Sequence, residues 1–131
     1  MSFPQIFPQG AENTAYAQYF SGSSYLATLA EGDAAVHNVT FAPACRNHWH
    51  IHHGAGQILL CTAGEGWYQE HGSPARSLKA GDVVVTNKGV KHWHGAAKDS
   101  WFSHLAIEVP GEHTSNEWCD PVSDEAYGTL K

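Results

Sequence analysis

Histidine dominates the chemistry available to this chain. Ten of its 131 residues are His, most of them in the segments Asn47-His48-Trp49-His50-Ile51-His52-His53 and Lys91-His92-Trp93-His94, with Gln57 a short link beyond the first. Residues two apart on a β-strand project from one face, so an extended run places His48, His50 and His52 on the same side. One strand reaches only one side of an ion, so a metal centre needs further ligands from elsewhere. The pattern supplies them: His50 and His52 from one strand, Gln57 from the start of the next, and His92 from a strand much later in the chain. Neutral imidazole suits Zn, Cu, Fe and Ni, and an oxygen donor also admits Mn, so the expected cofactor is one divalent transition metal. A lone histidine more often caps a hydrogen bond or decorates the surface; same-face spacing and a second cluster favour a site. His48 has the right parity but precedes the motif and is expected at a rim. His53, His71 and His113 fall on the opposite face or in turns and are assigned no function.

The elements that must position these residues are strands. Short apolar or alternating runs recur at 25–29, 36–41, 57–62, 66–70, 82–86, 92–96 and 101–109, separated by turns such as Glu31-Gly32-Asp33 and Ala80-Gly81-Asp82. That spacing predicts an all-β sandwich or barrel. The tail from Pro121 to Gly128 reads as a short helix, with Ser123 as N-cap and acidic residues in its first turn. The expected division is an N-terminal arm over 1–22, packed on the domain or on a neighbouring subunit, a barrel over 23–112, and a tail over 113–131 carrying the helix.

Composition bounds the partners. A formal net charge of -6 with 15% charged residues disfavours nucleic acid. The first residues lack the basic start and apolar core of a signal peptide, and no run approaches the roughly 20 apolar residues of a membrane span, so a soluble cytoplasmic protein is expected. Cys45, Cys61 and Cys119 are odd in number and widely spaced, which fits free thiols better than a disulfide framework.

The two histidine segments resemble the paired motifs of the cupins. His50, His52, Gln57 and Gly64 follow the first motif, with Gln57 where Glu is common; Gly81-Asp82, Asn87, Gly89 and His92 follow the second, with Asn87 where Pro is common. The resemblance implies a jelly-roll barrel, a homodimer, and an ion in the barrel mouth held by His50, His52, Gln57 and His92. More narrowly, Trp49-His50-Ile51-His52, Thr62-Ala63-Gly64-Glu65-Gly66-Trp67, Lys91-His92-Trp93-His94-Gly95 and His104-Leu105-Ala106-Ile107 are similar to carboxymuconolactone decarboxylase-like cupins and to cupin-type manganese hydroxynitrile lyases. That likeness favours Mn over Fe, Zn or Ni.

Three neutral imidazoles and a neutral amide leave a divalent ion its full charge, which favours an anionic oxygen as charge develops on the substrate. Such chemistry needs a proton shuttle. His94 shares a face with His92, His104 with Phe102 and Ala106, and His37 with Val39 and Phe41, so His104 and His94 are the candidate catalytic residues. His37, Val39, Phe41, Leu59, Cys61 and Phe102 are expected to form the substrate pocket, an apolar wall beside a polar floor. The tryptophans Trp49, Trp67, Trp93, Trp101 and Trp118 are expected to pack, with Trp49 and Trp93 pointing away from the metal side. The function expected is an enzyme acting on a small oxygenated or carboxylated molecule by lyase, decarboxylase or isomerase chemistry. The alternatives are a non-catalytic small-molecule-binding protein and a metal-dependent dioxygenase.

Overall fold

The computed structural model describes residues 3–130, so positions 1, 2 and 131 of the expected arm and tail lie outside the described residues. Among them run twelve strands: β1 (Ala11–Glu12), β2 (Phe20–Ser21), β3 (Ser24–Ala30), β4 (Ala35–Phe41), β5 (Arg46–Asn47), β6 (His50–His53), β7 (Gln57–Glu70), β8 (Arg76–Lys79), β9 (Val83–Thr86), β10 (Lys91–Ala96), β11 (Phe102–Glu108) and β12 (Ser115–Trp118). A short helix, α1 (Asp124–Gly128), follows, with the Ser123 side chain accepting from the Ala126 backbone N–H as its cap. All the described strand pairings are antiparallel, in the order β1-β3-β4-β11-β7-β10-β5-β2, with β8 and β9 on β7 and β12-β6 on β10. This is the all-β barrel that the alternating runs predict, in the jelly-roll form that the resemblance implies.

β7 departs from the expectation of two strands over 57–62 and 66–70, because it is continuous for 14 residues. Its first half pairs with β11 and β9 and its second half with β10 and β8, so it joins the two sides of the barrel. A register shift opposite Ser103/His104 leaves Thr62 unmatched and turns the strand there. Gly64 lets the bend close: its φ is +74°, and a Cβ would lie 1.8 Å from the Trp101 carbonyl oxygen.

Inward residues alternate as strand geometry requires. Phe41, Leu59, Cys61, Tyr68, Val84, Ala96, Phe102 and Ala106 belong to the main buried cluster and close one end of the barrel. The helix covers an outer face: Tyr127 packs against Trp93, its hydroxyl donates to the Ala96 carbonyl at 2.6 Å, and the Arg46 guanidinium lies 4.3 Å over its ring. Residues before β1 cover another. Asn38 donates to Gln5 and to the Pro8 carbonyl, Gln5 donates to Thr40, and Phe3 stacks on Trp101, so in this chain the arm lies on its own barrel. No helix among the described residues is long and apolar enough to cross a membrane.

Candidate metal centre

Register between three neighbouring strands builds the site. β10 and β12 flank β6, placing His92 directly opposite His50 on one side, and Trp118 opposite His50 and Asn116 opposite His52 on the other. His50, His52 and His92 each present a ring nitrogen, and the three nitrogens lie within 4.8 Å of one another. Their tautomers are set by fixed acceptors. His50 Nδ1 donates to the His48 carbonyl at 2.8 Å, His92 Nδ1 to the Val90 carbonyl at 3.0 Å, and His52 Nδ1 to Asn116 Oδ1 at 2.7 Å. A carbonyl oxygen only accepts, so the proton sits on Nδ1 and each Nε2 keeps its lone pair. The Nε2 atoms of His52 and His92 are buried without a hydrogen-bond partner. Buried polar atoms are rarely left so, and here the absent partner fits a cation. The three residues are therefore a group able to hold a metal ion. Gln57, at the start of β7, lines a cavity with His50 and His52, while His92 is fully buried and does not border it.

Deeper in, two further imidazoles pair. His94 Nδ1 and His104 Nε2 lie 3.1 Å apart. Asn47 holds His94 from the other side, because its Oδ1 accepts the His94 backbone N–H at 2.9 Å and its Nδ2 therefore donates to the ring, 3.2 Å from Nε2. Both rings are almost wholly buried, and His104 Nδ1 has no partner. Burial pushes His104 and His92 down to about 4. Burial also holds His50 and His94 well below the ordinary histidine range, with the neighbouring His92 and His104 next in effect. At neutral pH these rings are uncharged, the state that binds a metal or accepts a proton.

The cavity over this floor has a volume of about 290 Å³. Of the residues expected to line it, His37 and Val39 do so, and His37 Nδ1 lies 3.2 Å from the Thr28 hydroxyl. Phe41, Leu59, Cys61 and Phe102 do not border it. They stand behind, in the packed core, with Phe41 edge-on to His94 and Cys61 opposite His104 in register. Parity correctly puts them inside the barrel, but the filled end leaves no space beside them. The apolar wall comes instead from Phe20, Leu26, Val39, Ala106 and Trp118. Asn47, Asn116 and Glu108 also line the cavity and the sequence reading does not single them out, while Trp118, expected to pack, borders it as well. Only Glu108 left a signal, since it continues the parity of Phe102, His104 and Ala106. His48 acts through its carbonyl, His53 bonds Glu117 at the surface, and Cys45, Cys61 and Cys119 are free. Burial raises the Cys45 and Cys61 thiols to about 12 and about 11. A larger depression of about 400 Å³, bordered by Trp67, Lys79, Lys98 and Tyr127, lies away from the histidines on the barrel exterior.

Residues 37–108 match the family described as Cupin domain. Over 115 residues, covering 85% of this chain and 87% of the relative, the sequence is 38% identical to the (R)-mandelonitrile lyase of Granulicella tundricola. A cupin-like protein from Thermotoga maritima superposes with a TM-score of 0.88 at 38% identity over 96% of each chain. A Thermotoga maritima protein described as a predicted oxalate decarboxylase is 24% identical and shares the fold, with a TM-score of 0.65 over 70% of this chain and 84% of that one. The domain match takes in both histidine clusters and the strands between them, and the 38% relatives align over most of their own length; the chain belongs to the cupin family.

Proposed function

We propose that this protein is a metal-dependent lyase that cleaves and forms small hydroxynitriles, with His50, His52, His92 and Gln57 holding the ion and manganese as the metal. The observation that carries the reading is three convergent imidazoles with their Nε2 atoms free of protons, two of which (His50 and His52) line one cavity together with a buried histidine pair. Its likeness to the (R)-mandelonitrile lyase supports the same reaction class. A divalent ion held there supplies Lewis acidity, lowering the pKa of a substrate hydroxyl.

The chain's own residues do the rest. In the cleavage direction the hydroxyl proton passes to the His94–His104 pair, the bond between the carbinol carbon and the nitrile carbon breaks, and its electrons leave with cyanide. The pair returns the proton to cyanide, so aldehyde and hydrogen cyanide are the products and the imidazoles end as they began. Asn47 fixes His94 for this role, and burial keeps both rings unprotonated at rest. Phe20, Leu26, Val39 and Trp118 supply the apolar surface for the organic group and exclude water.

The same reading includes a homodimer. Ile58, Leu60, Val83, Val85, Leu105 and Ile107 face outward on neighbouring strands β7, β9 and β11, with Val83 and Val85 more than half exposed. Those outward side chains carry no charge on a chain whose net charge is -6, so a second copy is the partner that they suit.

The test is release of benzaldehyde from (R)-mandelonitrile by manganese-loaded protein, followed by absorbance beside metal content. His92→Ala should lose both metal and turnover, whereas His104→Leu should keep metal and lose about 100-fold or more in turnover. Absence of benzaldehyde release by the loaded wild type, or turnover surviving in metal-free His92→Ala, would sink the proposal.

A further inference from the structure

We propose that Glu108 makes the mouth of the histidine cavity selective for uncharged ligands, so that its substrates are aldehydes and nitriles rather than carboxylates. The inference deepens the lyase reading above and rests on it. Glu108 ends β11 and is the one carboxylate among the described residues that line the cavity. It also borders an adjoining opening of about 210 Å³, which shares His52, Gln57 and Asn116 with the main cavity, so both approaches to the histidines pass it. No Lys or Arg among the described residues lines either space, and Glu108 takes part in none of the described ion pairs. The other titratable groups on these walls are Tyr16 and imidazoles, among them His37 on the neighbouring strand and His53 at the outer opening.

The register gives the charge its meaning. Glu108 stands directly opposite Gln57, and such cross-strand pairs have Cβ atoms only about 5 Å apart. The neutral amide leaves an ion on the three imidazoles its full charge, which would attract any anion indiscriminately. A carboxylate one strand away opposes that attraction for ligands bearing net charge, while leaving a neutral aldehyde or nitrile unaffected. Placed outside the ligand group, it does so without occupying a coordination position. For a charge about 8 Å away at an effective dielectric of about 40 to 80, Coulomb's law gives about a two- to sixfold change in anion affinity.

The experiment uses the full chain loaded with cobalt(II), whose visible absorption reports a ligand arriving at the ion. Azide is the anionic probe and imidazole the neutral one, titrated into the wild type, Glu108→Gln and Glu108→Asp. The expected result is azide binding about fourfold tighter in Glu108→Gln, imidazole affinity within about twofold of wild type, and wild-type behaviour in Glu108→Asp. Azide unchanged in Glu108→Gln, or azide and imidazole strengthened alike, overturns the proposal. A wild type that takes up no cobalt at His50, His52 and His92 overturns it together with the ion site. The lyase reading fails on a different measurement, the mandelonitrile assay, so a working filter without turnover removes only that reading, and turnover without a filter removes only this one.

Discussion

Of the three histidines that converge at the candidate centre, only His52 has its Nδ1 held by a side chain. His50 and His92 lean on the carbonyls of His48 and Val90, which no substitution removes, whereas His52 depends on Asn116 Oδ1 at 2.7 Å. Asn116→Leu therefore unpins one ligand and leaves the other two as they are. The imidazole of His52 would lose the acceptor that selects its Nδ1–H tautomer and its ring orientation, and with it part of the basicity of Nε2. Loss of such an outer partner costs about 10- to 100-fold in metal affinity, or about 1.4–2.7 kcal/mol. Asn116 is exposed on β12, so the metal-free protein should unfold within about 0.5 kcal/mol of wild type. The assay is competition for manganese against a chelator of known affinity, beside denaturant unfolding of the metal-free form. Asn116→Asp should move the other way, because a carboxylate accepts the Nδ1–H more strongly. The affinity order expected is Asp, Asn, Leu. Equal affinities for Asn116→Leu and wild type would refute the reasoning, since they would mean that the tautomer of His52 does not depend on this contact.

His104 gives a prediction about acid stability. Its folded value of about 4 lies below the ordinary 6.5, so between those limits the unfolded chain binds more protons and stability falls as pH drops from about 6.5 to about 4. The full shift corresponds to about 3 kcal/mol at most. His104→Leu also removes the unpartnered Nδ1, so denaturant midpoints of the metal-free variant should decline less over that window; an identical slope would remove His104 from the account. For the homodimer, Val83→Lys with Val85→Lys puts two charges per copy on the outer sheet face. Sedimentation should show a dimer for the wild type and at least a tenfold weaker one for the variant, and a wild type that sediments as a monomer at tens of micromolar excludes that assembly.

The strands that carry the barrel were legible because each is long enough to show alternation. Residues 36–41, 92–96 and 101–109 are each expected within a residue or so of β4, β10 and β11. β5, β8 and β12 were not, since Arg46–Asn47, Arg76–Lys79 and Ser115–Trp118 show too little apolar alternation; β5 and β12 owe their extension to partners distant in the chain, and β8 to its hairpin with the end of β7. The break read at Ala63–Glu65 is a bend inside one strand, because a bulge and Gly64 redirect β7 without ending it. For the same reason the site was only half visible. Parity within a strand shows that His50 and His52 project together and that His94 and His104 point inward. Which residue of another strand lies opposite depends on register, and that is how Asn116, Trp118 and Glu108 join the site. Depth is also hidden from parity, so Phe41, Leu59, Cys61 and Phe102 read as pocket although they fill the core.

Four of the inward imidazoles, His50, His92, His94 and His104, divide into two kinds, and the difference lies in where each sits along its strand. His50 opens β6 and His92 is the second residue of β10, and each donates to the carbonyl two residues earlier. Those carbonyls belong to His48 and Val90, just outside the strands, where an oxygen is free of the ladder and can turn toward the ring. A histidine at the start of a strand can thus be locked by its own backbone, with Nε2 left facing the cavity. His94 and His104, one turn of the pleat deeper, have no such carbonyl to use. Their polar atoms must be satisfied by each other and by Asn47, and His104 Nδ1 is left over. Ring centroids run 4.1 Å from His50 to His92, 5.9 Å from His92 to His94 and 4.7 Å from His94 to His104, so a charge on any one would raise the cost of a charge on the next. The file therefore favours the neutral state throughout, with the strand-start pair at one end of it and the mid-strand pair at the other.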